Sequence, residues 1–410
     1  MPQAIERLLP DSAAIDTSAA EPAARLNFSD VPAGGAVYLL ADSAGTPMLL
    51  ATVRNLRAAL ERRLTDTPTE QKSKRLQYGQ LCSTLRYRRV CSPFAANFHY
   101  LQTARTLFPK QYRAMVTWRP SWFVGVDQTS PHPQFRKTIA LDDPALNYFG
   151  PIPDKHAAGR LVESLDDLFD LCRYHNILIQ APHGKPCAYK EMGKCPAPCD
   201  GSISLAEYHS QIEAAAGVLA RGGHEAWRHS LEGQMKAVAA QLQFEAAANV
   251  KARLARAAFL DQFHFAYMDA LEQFTFLSLQ PGPGTSWVQP FFIHGGAIDE
   301  GAPAKRKDLA TAVGGWHRKI QKLAATPVVT PLTPQQAEHV ALVAFHLFRG
   351  ADDAGIYLRP ADLPSPADIL AAGTALLGRR SAKPLPDQSS DRQQEAEPVE
   401  PETPAGGANA

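Results

Sequence analysis

Four of the six cysteines in this 410-residue chain crowd into one stretch, CRYHNILIQAPHGKPCAYKEMGKCPAPCDG, with the spacing Cys172-x14-Cys187-x7-Cys195-x3-Cys199. Thiolates are soft ligands, and four of them at short intervals in a reducing compartment suit a metal better than disulfides. Pro196 and Pro198 stiffen the last interval, so that two sulfurs can be presented from one tight loop, and Gly193 and Gly201 permit the bends around it. Both tetrahedral zinc and an iron–sulfur cluster accept four cysteines; spacing alone makes zinc the first expectation without separating the two. Buried, unligated thiols are the plainer alternative, and one that suits the isolated Cys82 and Cys91 better.

The elements that must position these thiols are legible on either side. Residues 156–173, HAAGRLVESLDDLFDLCR, put Leu161, Leu165, Leu168 and Leu171 on one stripe, the mark of an amphipathic helix that ends at the first cysteine. After the last cysteine the pattern predicts two helical stretches, about 204–221 and 225–261. Further on it predicts a β-like segment with a Pro-Gly turn (FTFLSLQPGPGTSWVQPFFIHGG) and helices near 305–324, 333–348 and 366–378. Towards the N-terminus, AVYLLAD, a Ser43-Ala44-Gly45 turn and PMLLAT predict a β-hairpin that feeds a helix over NLRAALERRL. A helix near 93–108 and strands near 113–118 and 122–127 follow. The expected fold class is α+β, with a small mixed sheet flanked by helices, a cysteine-rich loop, a helical hairpin and a mostly helical C-terminal region.

Within residues 231–254, Met235, Val238 and Leu242 form one apolar stripe and Phe244, Ala247, Ala248 and Leu254 a second. Two short amphipathic helices bury little area alone and need a further surface, either elsewhere in this chain or on a partner.

Composition bounds the function classes. The chain is 45% apolar and 20% charged, as soluble globular proteins are, and no run of about 18 apolar residues is long enough to cross a bilayer. The opening MPQAIERLLPDSAAIDTSAAEPAARL carries acids and prolines where a secretory signal needs a cationic start, which predicts a cytoplasmic protein with residues 1–30 as a flexible extension. The net charge of +1 divides into −4 over 381–410, an expected disordered tail, and +5 over the rest. Positions 54–89 hold ten basic residues against three acids; Lys72, Lys74, Arg75, Arg86, Arg88 and Arg89, interleaved with Tyr78 and Tyr87, are candidate DNA contacts. A solvated, mixed helix face is the alternative. No small-molecule substrate is indicated.

The chain also carries YFGPIP at 148–153, KPC at 185–187, KCPAPCDG at 194–201 and SLEGQMKAVAAQLQFEAAANVKARL at 230–254. In order and spacing these resemble the N-terminal half of the UvrC family of bacterial ABC excinuclease components over roughly residues 34–261. The resemblance implies a degenerate GIY-YIG-like domain at 31–130, a cysteine-cluster region at 145–203 and a helical region at 204–261 with a UVR motif at 230–254. Residues 262–380 remain an unassigned α/β region. It also implies that Cys172, Cys187, Cys195 and Cys199 hold a 4Fe-4S cluster, with zinc the alternative. The UVR motif implies docking to UvrB, the helicase that works with this family, through Met235, Val238, Leu242, Phe244, Glu245 and Ala248. Where the family usually has Arg-Asp late in that motif, this chain has Lys251-Ala252, so a polar contact that selects the partner is altered.

The nuclease positions carry over poorly. Tyr38 matches the first tyrosine, but the second falls on Leu49, the glycine on Ala51, the lysine on Thr52, the helix arginine on Ala59 and the metal-binding glutamate on Tyr100. Losing even one electrostatic stabiliser typically costs ~10²–10³ in rate. Arg57 lies two residues from the lost arginine, which turns it about 200° round the helix and away. The expected protein is a UvrC-like repair scaffold with Tyr38 as a catalytic remnant or a core tyrosine. A diverged, active nuclease needing Mg or Mn is the rival, and an interaction module clipped by metal, outside repair, is a third reading. Neither an RNase H-like pattern nor a paired helix-hairpin-helix is visible after residue 261.

Overall fold

The computed structural model describes residues 2–19, 24–65, 78–350, 354–363 and 365–379. They form a mixed α and β structure in two compact units, one ending at Thr117 and the other beginning at Trp118. The expected tail over 381–410 and Lys72, Lys74 and Arg75 lie outside the described residues.

The first unit contains α1 (Pro2–Leu8), β1 (Asp11–Ala14), β2 (Ala36–Ala41), β3 (Pro47–Val53), α2 (Leu56–Thr65), α3 (Tyr78–Leu81), β4 (Thr84–Arg89), α4 (Pro93–Leu107) and α5 (Tyr112–Met115). Its sheet runs β1-β4-β2-β3 and is antiparallel throughout. The hairpin expected at 36–53 is present, with Tyr38 opposite Ala51. All six residues of β2 are buried, which is why its sequence reads as an unbroken apolar run: α2 shares a core with Tyr38, Leu40 and Leu85, and α4 also packs on β2 and β3. Ser92 caps α4 by accepting from the Ala95 amide, and Pro93 occupies its first turn. Two expectations change here. Residues 11–14, placed in a flexible extension, form an edge strand on β4. The strand expected at 113–118 is instead the short helix α5, because Phe108 and Gln111 carbonyls capture the amides of Tyr112 and Ala114 in local turns.

The second unit opens with β5 (Trp122–Val126), β6 (Arg136–Thr138), β7 (Asn147–Ile152), α6 (Lys155–Leu168), α7 (His175–Leu178), α8 (Ala188–Glu191), α9 (Leu205–Leu219), α10 (Gly223–Ala240), α11 (Phe244–Ala257) and β8 (Asp269–Ala270). The sheet β6-β5-β7-β8 shares one core with α6 and α9, in which Leu161, Leu165 and Leu168 meet Val124, Phe149, Tyr208 and Ile212. The helical stretch expected over 225–261 is two helices that turn at Gln241–Gln243, between the two apolar stripes. Leu242 there adopts a left-handed backbone, φ 60°, and α10 and α11 fold side by side.

The remaining elements are β9 (Thr275–Pro281), β10 (Trp287–His294), β11 (Ala297–Glu300), β12 (Ala304–Lys305), α12 (Leu309–Ala324), α13 (Pro334–Leu347), β13 (Ile356–Leu358) and α14 (Pro366–Arg379). Their sheet is ordered β11-β10-β9-β13, with β12 on β10. Leu277, Leu279, Val288 and Phe292 present one face to α12 and α14, where Leu309, Val313, Ile320 and Ile369 complete a separate core. No helix among the described residues is long and apolar enough to cross a membrane.

Candidate functional site

The four cysteines sit on loops that leave the α6 and α9 core. Cys172 follows α6 directly; its amide donates to the Tyr208 hydroxyl of α9 at 3.4 Å, and Gln134 donates to its carbonyl at 3.3 Å. Cys187 is the residue before α8. Cys195 and Cys199 bracket Pro196-Ala197-Pro198, with Ala197 in the left-handed region at φ 58° and Gly201 at φ 78°. A non-glycine residue accepts that conformation only where its surroundings hold it. The Gly184 amide donates to the Cys199 carbonyl at 2.7 Å, and a Cβ at Gly184 would lie 3.0 Å from the same oxygen.

Two side chains brace the loops across sequence. Arg173 lies over the Tyr189 ring at 4.3 Å, donates to the Lys194 carbonyl at 3.2 Å and pairs with Asp167. Lys190 pairs with Asp200 and donates to Ser202 Oγ at 2.6 Å, tying the turn after Cys187 to the loop that ends in Cys199. Asp200 is accordingly held down at about 2, first by the bond from Lys190.

Cys172, Cys195 and Cys199 are buried and Cys187 is half-buried. Cys195 is lowered, first by its interaction with Cys172, with the Ala197 amide and the Arg173 guanidinium assisting against burial. Cys172, whose thiol donates to the Tyr174 carbonyl at 3.6 Å, is pushed up first by Cys195 and then by burial. Cys199 is raised first by burial and then by Asp200, Cys195 and Cys187. Cys172 thus feels the charge of Cys195 and Cys199, and Cys199 that of Cys195 and Cys187. Among the described residues, however, no group of three or more Cys, His, Asp or Glu side chains is arranged to hold a metal ion. The donor set fits a thiolate-bound metal or cluster in kind, not in placement. One titratable neighbour was invisible to sequence reasoning: Asp166, on the buried side of α6, is raised to about 7 by desolvation, partly offset by Arg173.

The other candidates separate. The hairpin leaves Leu242 and Phe244 exposed at its tip, at 74% and 66% of their full area, while Met235 and Val238 are half-buried. Glu245 and Ala248 are exposed beside them. In the first unit Tyr38 is fully buried within the core. Leu49, Ala51, Thr52, Ala59 and Tyr100 are buried as well. Arg57 points elsewhere, as its position on the helix required, and donates to the carbonyls of Val31 and Ser29 at 3.0 and 3.1 Å.

Two members of the expected DNA-binding group are engaged within the fold. Arg86 pairs with Glu6 at 3.2 Å, and Arg88 donates to the Leu8 and Arg7 carbonyls at 2.6 and 2.7 Å, where it satisfies the C-terminal end of α1. Arg89 alone of the three is exposed. Sequence patterning missed this because the partner of each arginine lies some eighty residues away.

Comparison with known proteins meets the cysteine region. Residues 121–218 match the family model of the UvrC/Cho excinuclease middle domain. Among curated proteins, the UvrABC system protein C of Novosphingobium aromaticivorans is 31% identical over 150 residues, 37% of this chain and 22% of that relative. Those of Hyphomonas neptunium and Haemophilus influenzae are 28% and 27% identical, covering 40% and 41% of this chain and 26% and 27% of the relatives. The match therefore spans about a quarter of the length of these relatives. No solved structure matches significantly. Across the segment that holds all four cysteines, the chain is similar to the UvrC/Cho excinuclease middle domain.

Proposed function

We propose that this protein acts in nucleotide excision repair as a UvrC-like scaffold that docks UvrB and contacts DNA without cutting it efficiently. The observation that carries the proposal is the α10–α11 tip, where Leu242 and Phe244 stand in solvent within the segment that resembles a UVR motif. Exposed large apolar side chains next to one another mark an interaction surface more often than scattered single ones do. Affinity on the order of micromolar or tighter for UvrB is expected, since a few buried aromatic and aliphatic anchors carry most interface energy.

Loss of cutting is supported by the burial of Tyr38 and by apolar or bulky residues at the positions that resemble the rest of a GIY-YIG site. The four cysteines are proposed to hold a 4Fe-4S cluster, or zinc, as a structural clip in the domain that carries α6 and α9.

The test is a pull-down of full-length protein with UvrB from the same organism, in which Phe244→Asp abolishes recovery by placing a charge in the interface. Wild type that recovers no UvrB would refute docking. Incubation of damaged duplex with Mg²⁺ or Mn²⁺ should give no incision; cleavage lost in Tyr38→Phe would favour the active-nuclease reading instead. Anaerobically purified protein should absorb near about 400 nm if iron–sulfur is bound, and zinc would leave it colourless.

A further inference from the structure

Residues outside the matched segment carry a second surface suited to polyanions. Between the start of β10, the strand β12 and the first turns of α12 lies a groove of about 590 Å³, lined by Trp287, Pro303, Lys305, Lys307, Thr311 and Trp316 among others. That volume falls in the range of sites for small organic groups, roughly 300–1,000 Å³. Trp316 is buried in the α12 core and closes the floor, while Trp287 is half-buried at the wall. The β10–β12 register sets Lys305 directly opposite Trp287, with its ammonium 4.9 Å from the indole centre.

The charge around this groove is mostly positive, with Asp308 the one acid in its lining. From 303 to 325 the chain has Lys305, Arg306, Lys307, Arg318, Lys319 and Lys322 against Asp308 alone. Lys305, Arg306 and Lys307 are exposed, and among the described residues none pairs with a carboxylate; Lys319, by contrast, pairs with Asp299. Thr311, Gly315, Arg318 and Lys322 recur at helical spacing on the exposed side of α12, so a cationic stripe continues from the groove along the helix. Nothing lies within 4 Å of a Cβ built on Gly315, which leaves that stripe open.

We propose that this groove binds single-stranded nucleic acid, with an unpaired base entering beside Trp287 and flanking phosphates meeting Lys305, Lys307 and the stripe on α12. Aromatic walls accept any base through its π-face, and adjacent ammonium groups hold the backbone without reading sequence. A lysine resting against an indole is poised for this exchange: when its ammonium turns to a phosphate, the ring face is released to a base. A paired base is already stacked on its neighbours and cannot enter, so the site selects single strands over duplex. The inference is independent of the docking proposal, because the hairpin tip is not part of the groove.

Anisotropy of a labelled oligothymidylate of about 15 nucleotides, titrated with full-length protein, tests it. The Lys305→Ala/Lys307→Ala double variant should bind about tenfold more weakly and lower the slope of log affinity against log salt by about 1.4, since each phosphate contact on a single strand contributes about 0.7. Binding should quench tryptophan fluorescence, less so in Trp287→Phe, and Phe244→Asp should leave the titration unchanged. Oligouridylate of equal length distinguishes an RNA ligand from a DNA one, whichever binds tighter being the source. No binding by wild type, an unaltered salt slope in the double variant, or a duplex that binds as tightly as oligothymidylate without quenching would overturn the proposal.

Discussion

The cysteine block and the α10–α11 hairpin belong to the same compact unit but treat their chemically distinctive residues in opposite ways. Around Cys172, Cys195 and Cys199 the thiols turn inward, and arginine and lysine braces from distant loops hold the approach. On the hairpin the apolar residues turn outward, with Leu242 and Phe244 exposed and few side chains buried along either helix. The block closes on itself, whereas the hairpin leaves large apolar side chains in water. The contrast also predicts where stability resides, because substitution cost follows how well a site is packed.

The largest expected effect is therefore at Tyr208, fully buried in α9 and bonded through its hydroxyl to the Cys172 amide. Tyr208→Ala should destabilise by about 3–5 kcal/mol in chemical denaturation, the usual cost of deleting a buried aromatic ring. A loss below about 1 kcal/mol would show that the block is not part of the main core.

Next comes Asp166, whose carboxyl is raised from 3.8 to about 7 by burial. The folded chain holds this proton more tightly than the unfolded one, so its contribution favours folding fully below about pH 4 and is lost as pH rises through about 7. A shift of this size corresponds to about 4 kcal/mol at most between those limits. Asp166→Asn should flatten the stability profile across that window; an unchanged profile would remove Asp166 as its cause.

A smaller effect of the opposite sign is expected at Leu242, which holds a left-handed conformation while exposed. Leu242→Gly removes a backbone cost of about 1–2 kcal/mol, offset by the freedom glycine gains when unfolded, for a net gain of up to about 1 kcal/mol. The same change should weaken UvrB recovery. A residue whose replacement stabilises the monomer and impairs docking is kept for the interface, and a variant that gains stability with docking intact would break that interpretation.

The smallest stability change belongs to Phe244→Ala, expected within about 0.5 kcal/mol of wild type despite the size of the side chain, because most of the ring is already in water. A loss of several kcal/mol would place Phe244 in the core instead and erase the contrast between the two regions.

Local features were the legible ones. The apolar stripe of α6, the hairpin of β2 and β3, α4 ending before Pro109, and the helices near 305–324 and 333–348 follow from periodicity and turn chemistry that act within a few residues. The turn between α10 and α11 follows the change of apolar stripe after Leu242, while the left-handed backbone that Leu242 adopts there was not legible. Arg86 and Arg88 read as a basic surface until α1 is seen to end against them.

By itself the sequence determined the kind of chemistry available: four soft thiols at close spacing, a β-hairpin feeding a helix, and two amphipathic stripes that need a further surface. The tertiary structure decided which of these face inward and which face out. It sealed Tyr38 in a core, used two arginines as braces, raised Asp166 and left Leu242 and Phe244 in water. The reason is physical. Residue type and spacing fix what a side chain can do, but burial, charge and hydrogen bonding depend on neighbours brought together from distant parts of the chain, and no local pattern encodes them.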